Sequence, residues 1–287
     1  MKSKTHIGIA LAVTGTFTSA GVASIVRYLS VRIPVVEIIF VAYVVCVLIH
    51  FLRYCYQAKE LIVTPHWCVL TMRAITGIGY YSLMLAGVAY TTVLEGTLLR
   101  CTAPLWVPIL VWIIWQQRPT RYQWIPIIVG FVGVVVFLHP AALHFNIGYL
   151  FALSAGFLYA VNTLITRATH DRQEPSRRTL FYSFVIGAIV MGFCTAYHWV
   201  PLKWNEALLL ALAGIAVYFT VSLFVWAFRF AKPIDIAPMG NMIVVFGGIF
   251  DWLIWREIPT LTTLIGAILI ISACVYIVRH TRQTATT

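Results

Sequence analysis

Charge is scarce in this chain. Its 287 residues include twenty Lys and Arg and only nine Asp and Glu, so 10% are charged while 61% are hydrophobic. A soluble domain carries about 25% charged and roughly 45–50% apolar residues. The mean hydropathy is +0.90. So little polar surface cannot cover a water-soluble globule, and lipid has to serve as part of the solvent. Catalytic patterns are missing too. There is no H-E-x-x-H, no G-x-S-x-G, no paired-Asp metal motif and no phosphate-cradling loop, and these are the signatures a lipid-acting membrane enzyme needs. The eight histidines are scattered. Cys46, Cys55, Cys68, Cys101, Cys194 and Cys274 form no C-x-x-C pair and lie in or beside apolar segments. They read as small core residues. Nothing requires a cofactor. The net charge of +11 has no basic soluble domain to carry it, so a nucleic-acid partner is not expected.

What is present is a series of apolar runs without period-2 alternation. Helices are the structure that satisfies such backbone in lipid, and about 20 residues are needed to span. Ten spans are expected: 5–27, 34–54, 67–89, 93–115, 121–139, 146–167, 178–199, 205–229, 234–255 and 261–279. Breaks carry Pro34, Pro65, Pro119, Pro140, Pro175, Pro201, Pro233 and Pro259, as helix boundaries do. The first run is long enough to be a membrane helix and lacks a small-residue cleavage site. The last residues read as a frayed polar tail. With both termini in the cytoplasm, about 14 basic residues fall on the inner side and about 4 on the outer side, as the positive-inside rule demands. The expected setting is multi-pass, in the cell's inner membrane, with lipid and a small-molecule substrate as partners.

The chain also repeats. Trp112, Trp115, Pro119 and Thr120 recur as Trp252, Trp255, Pro259 and Thr260, an offset of about 140 residues that also sets Glu95 on Asp235. Two halves, 1–140 and 141–287, are expected. Five spans per half force opposite orientations, and inverted repeats suit alternating access about a midplane site.

Local motifs carry a resemblance. They are 86–90 (Ala-Gly-Val-Ala-Tyr) followed by Glu95 and Pro104, and 227–231 (Ala-Phe-Arg-Phe-Ala) followed by Asp235, Ile236, Ala237 and Pro238. The helix ends at 117–120 and 257–260 add to them. Across essentially its whole length the sequence resembles an EamA-type member of the drug/metabolite transporter superfamily. Residues 252–262 are most similar to a subgroup that moves S-adenosylmethionine. The resemblance implies a ten-helix basket with a central cavity and transport of amino acids, nucleoside-like metabolites, cations or drugs. The chain departs from the family pattern at Gln117, which replaces an acidic residue, and at Tyr43, where arginine is common.

Several polar residues sit inside apolar runs. Arg100 is the most informative, because an arginine near the bilayer centre costs roughly 2.5–3.5 kcal/mol and is kept where it faces protein or a wet cavity. Its fork of donors suits a carboxylate, or a structural ion pair. Glu95 and Asp235 begin equivalent helices, where carboxylates serve as caps or as charge-coupling sites. Asp251 is either a titrating group or a paired interfacial carboxylate. Asn162 and Asn241 lie deep in helices and suit interhelical hydrogen bonds or substrate. Tyr80, Tyr81, Tyr159, Tyr218, Trp226 and Trp106 offer aromatic faces for a cation or an adenine, or simple packing. Together these residues point to a secondary transporter of a small polar metabolite, a zwitterion such as S-adenosylmethionine or an amino acid. Export of drugs or organic cations, and a polytopic enzyme or scaffold without flux, are the alternatives.

Overall fold

The computed structural model describes residues 2–116, 121–138, 146–196, 199–230, 236 and 239–280, and these form an all-helical bundle. In order come α1 (Lys2–Leu29), α2 (Val35–Tyr54), the short α3 (Ala58–Ile62), α4 (Trp67–Tyr90), α5 (Val93–Arg100) and α6 (Ala103–Trp115). Then follow α7 (Arg121–Leu138), α8 (Ile147–Asp171), α9 (Ser176–Thr195), α10 (Trp204–Phe230), α11 (Met242–Phe250) and α12 (Leu261–His280). Among the described residues, seven stretches are helical, long and apolar enough to cross a membrane, with α5 and α6 counting as one stretch, Val93–Ile114. Trp124–Leu138, Met242–Trp255 and Leu261–Ile277 are shorter apolar helices.

Two expected helices are not single α-helices. The 93–115 run breaks at Cys101 and Thr102. Pro104 has no N–H, so the carbonyl of Arg100 loses its i+4 donor. The run ending at residue 255 finishes as a π-turn, Asp251–Trp255, closed by Arg256 in the left-handed region at φ 59°. Such turns widen a helix locally and often mark functional positions.

The most extensive packing pairs are α1 with α10, α4 with α8, α1 with α11, α5 with α8, α2 with α10, α4 with α9, α2 with α9, α5 with α11 and α7 with α12. Shifting by about 140 residues exchanges α1 with α8, α2 with α9, α4 with α10, α6 with α11 and α7 with α12. Thus the α1–α10 pair returns as α8–α4, α2–α10 as α9–α4 and α1–α11 as α8–α6, while α5 falls on 233–240, mostly outside the described residues. Close approach depends on small residues, as is usual between helices in lipid. An added Cβ on Gly87 of α4 would lie 2.9 Å from the Ala152 Cβ of α8 and 3.1 Å from its backbone nitrogen. Asn162 of α8 fastens the same pair by donating to the Arg73 carbonyl at 2.8 Å and to the Thr76 hydroxyl at 3.0 Å.

The α7–α12 pair is equally tight. A Cβ on Gly266 would sit 2.6 Å from the Phe137 Cβ and 2.9 Å from the Gly133 carbonyl oxygen. Backbone on both sides cannot step aside cheaply, so Gly266→Ala is expected to destabilise the protein by about 1–3 kcal/mol, the usual range for overpacking. Thermal unfolding of the detergent-solubilised protein measures it. An unchanged melting temperature would show that α12 slides freely on α7.

At one end of the bundle α3 is strapped onto α9. Tyr182 donates to the Ile62 carbonyl at 2.8 Å, Arg178 donates to the Glu60 carbonyl at 2.7 Å, and Arg177 pairs with the Glu60 carboxylate. Glu174, between α8 and α9, accepts from Thr64 at 2.6 Å and from Arg178 at 2.7 Å. Burial alone would raise the Glu174 carboxyl, but the bonds from Thr64 and Arg178 outweigh it and hold the group below the ordinary carboxylate value.

Candidate functional site

The helix break puts an arginine into the middle of the bundle. Thr92 caps α5 through a capping box. Its hydroxyl accepts from the Glu95 N–H at 3.0 Å, and Glu95 accepts from the Thr92 N–H at 3.2 Å. Two turns later α5 ends at Arg100. Gly156 lets α8 reach the break, since a Cβ there would lie 2.6 Å from the Thr102 hydroxyl and 2.9 Å from the Leu99 carbonyl. The Arg100 guanidinium consequently sits 5.1 Å from the centroid of the Tyr159 ring on α8. Tyr80 of α4 stacks edge-on against Tyr159 at 4.8 Å, and Tyr81 stands 6.4 Å from Tyr80. The other contacts of Arg100 are weak. One Nη lies 3.9 Å from the Cys101 thiol, and the buried Nε has no hydrogen-bond partner.

A second intramembrane arginine faces the same tyrosines. Arg73 of α4 donates to the Thr166 hydroxyl at 3.1 Å and the Ser183 hydroxyl at 2.9 Å. Both guanidiniums lie in the neighbourhood of Tyr80 and Tyr159. Neither pairs with a carboxylate among the described residues, although partnerless charge at this depth costs several kcal/mol in total. The carboxylates whose side chains are described lie elsewhere. Glu37 accepts from the Val200 N–H through one oxygen, and its other oxygen is buried without a partner. Glu60, Glu174 and Glu206 pair with Arg177, Arg178 and Arg32. Glu95 caps α5, and Asp251 and Glu257 share Arg27.

That shared cluster sits at one end of the bundle, near the end of α1. Arg27 of α1 bonds Asp251 at 2.8 Å and grips both oxygens of Glu257 at 2.8 Å. Its guanidinium lies 4.3 Å from the centroid of the Trp255 ring. Asp251, only 3% exposed, also accepts from the backbone N–H groups of Val93 at 3.1 Å and Leu94 at 2.7 Å. The carboxylate therefore ties α1 and α11 to the positive N-terminus of α5. Between Glu95, Asp251, Glu257 and Thr260 lies a small cavity.

The remaining expected site residues are spread out. Asn162 is spent on the α4–α8 junction. Tyr218 is 6% exposed in the core beside Phe184 and His50. Trp226 is 46% exposed on α10. Asn241 precedes α11 and makes no side-chain cap. Trp106 lines a groove with Leu83, Leu153, Ser154, Phe157 and Leu158. At about 100° per residue, Ser154 and Phe157 face away from Tyr159 on α8, while Trp106 and Tyr159 pack against the same core of Ala103, Leu110 and Ala160. Asp235 lies outside the described residues. Arg100, Tyr80, Tyr81 and Tyr159 do come together. Arg73, Arg27 and Glu257 were not singled out by sequence reasoning. For Arg73 the signal was present, a charge inside an apolar run. Arg27 and Glu257 read as ordinary interfacial charges.

The chain as a whole matches known proteins. The EamA-like transporter family model matches twice, over residues 6–139 and 146–279. The chain belongs to the EamA-like transporter family. This EamA-like chain is a multi-pass membrane transporter of small molecules, not an enzyme. It is 26% identical over 252 residues to an S-adenosylmethionine uptake transporter of Rickettsia bellii, covering 88% of this chain and 86% of the relative. It is 24% identical to a pseudopaline exporter of Pseudomonas aeruginosa, covering 95% and 96%, and 20% identical to a riboflavin transporter of Brucella anthropi, covering 89% and 92%. A crystal structure at 16% identity shares the fold, with a TM-score of 0.62 over 99% of both chains.

Proposed function

We propose that this EamA-like protein is a secondary transporter that moves a small carboxylate-bearing metabolite by alternating access, with S-adenosylmethionine and amino acids as the named candidates. The observation that carries this reading is Arg100, seated over Tyr159 and free of any described carboxylate. A guanidinium fork offers paired donors to a carboxylate, and the tyrosine faces accept an ammonium, a sulfonium or an aromatic ring. An exporter of organic cations would need the opposite charge in this position. In this reading ten spans cross the inner membrane as two inverted halves, 1–140 and 141–287, with both termini cytoplasmic. The exchange symmetry of the packing pairs and the double family match support that division. The Arg27–Asp251–Glu257 cluster then closes the outer face, and Arg100 is reached from within.

The test is flux into proteoliposomes of labelled S-adenosylmethionine, a neutral amino acid and a quaternary amine. Saturable uptake of a carboxylate-bearing compound, with the quaternary amine inert, is the expected result. Preferential uptake of the quaternary amine would overturn the reading.

A further inference from the structure

The arginine cluster holds more positive charge than a single carboxylate would neutralise. Arg100 stands at the level of Tyr159 and Tyr80, and Arg73 stands at the level of Thr166 and Ser183. These levels are seven residues apart on both helices, 73 to 80 on α4 and 159 to 166 on α8. Seven residues are two turns, about 10 Å along a helix axis. A short diacid with a hydrogen-bonded guanidinium at each end spans a separation of that order. Arg73 spends only Nε and one Nη on neutral hydroxyls, and Arg100 has a buried Nε with no partner. A guanidinium carries five N–H donors, so both keep donors to offer. The side chains between them are those of Tyr80 and Tyr159.

We infer that the transported substrate carries two anionic groups, a short dicarboxylate or amino-dicarboxylate, with one carboxylate on Arg100 and the other on Arg73. This rests on the reading above that the Arg100–Tyr159 cluster is the substrate site. A compound with one carboxylate and one or more cationic groups leaves Arg73 uncompensated. A diacid neutralises both arginines, and the tyrosine hydroxyls can donate to its remaining oxygens. Arg73 thereby becomes a specificity-determining residue, and Arg100 the anchor common to all ligands.

The experiment uses the full-length protein in detergent and follows ligand-induced shifts of thermal unfolding. The ligands are matched pairs, L-glutamate with L-glutamine and succinate with succinamate, together with L-methionine and S-adenosylmethionine. Wild type, Arg73→Gln and Arg100→Gln are compared, with Arg73→Lys as a charge-retaining control and size-exclusion chromatography confirming that each variant is folded. The expected result is a diacid that binds at least about tenfold tighter than its monoamide, with Arg73→Gln bringing the ratio to near one while monoamide binding is kept. Arg100→Gln is expected to weaken both members of the pair. Three results would overturn the inference: no diacid binding at millimolar concentration, a monoacid binding as tightly as any diacid, or an acid-to-amide ratio unmoved by Arg73→Gln. If monoacid binding still depends on Arg100, the cluster remains the site and only the diacid assignment falls. If Arg100→Gln leaves the binding of every ligand intact, the cluster itself is not the site.

Discussion

Replacing Arg100 with glutamine is expected to reduce saturable uptake by at least about 100-fold, since losing one partner of a desolvated, hydrogen-bonded charge pair costs about 2–5 kcal/mol. The fold should tolerate the change. The guanidinium makes no ion pair among the described residues, and its Nε has no partner. Removing a partnerless charge from the bundle leaves the melting temperature unchanged or raises it. This combination, transport lost and stability kept, separates a substrate anchor from a structural arginine, whose removal would lower both. Uptake in proteoliposomes and thermal unfolding of the same preparation measure the two quantities. A large fall in melting temperature, with uptake lost only in proportion to folded protein, would make Arg100 structural.

Asp251→Asn is expected to act in the opposite sense, loosening the structure at one end. The carboxylate is nearly inaccessible and serves three partners, Arg27 at 2.8 Å and the N–H groups of Val93 and Leu94 at 3.1 and 2.7 Å. Breaking a buried pair by removing one partner costs about 3–5 kcal/mol, because the other charge remains. Here Glu257 still holds Arg27, which moves the expectation to the lower end of that range. The lost energy belongs to the conformer in which α1, α5 and α11 are tied together, so populations shift toward an open end. Cys101, buried beside Arg100, is a natural reporter. With Cys55, Cys68 and Cys194 replaced by serine, its labelling by a membrane-impermeant thiol reagent should rise about tenfold or more in the Asp251→Asn protein. Arg27→Ala should do the same, and the double variant should show less than the sum, because the two residues form one network. Unchanged labelling would mean that the cluster is not a closure. The repeat sharpens the expectation. Arg27 corresponds to Arg167, but Asp251 corresponds to Val111 and Glu257 to Gln117. At these sequence positions the first half carries no acid.

Much of the architecture was legible because lipid makes it a local property. A run without water must satisfy its own backbone, so composition and run length marked the helices to within a few residues at α1, α2, α4 and α12. The break after Arg100 was foreshadowed by Pro104, whose missing N–H is also a local fact. The π-turn at Asp251–Trp255 had no comparable signal, since its hydrogen-bond register depends on what Asp251 grips outside the helix. Polar residues inside apolar runs were visible too, and Arg100 was singled out on that ground alone.

What each polar residue does was decided elsewhere. Asn162 and Arg100 look alike in sequence, both polar and both deep in an apolar helix. Only the α4–α8 approach, permitted by Gly87 and Gly156, spends Asn162 on a neighbouring helix and leaves Arg100 over a tyrosine. Asp251 finds Arg27 across 224 residues of chain, and Arg73 finds Ser183 across 110. The sequence by itself determined a helical membrane protein, because apolar run length is a property of the chain alone. The tertiary structure decided which charges are paired and which are left open to a ligand, because that choice depends on which helices meet and at what level, and no residue's local surroundings encode it.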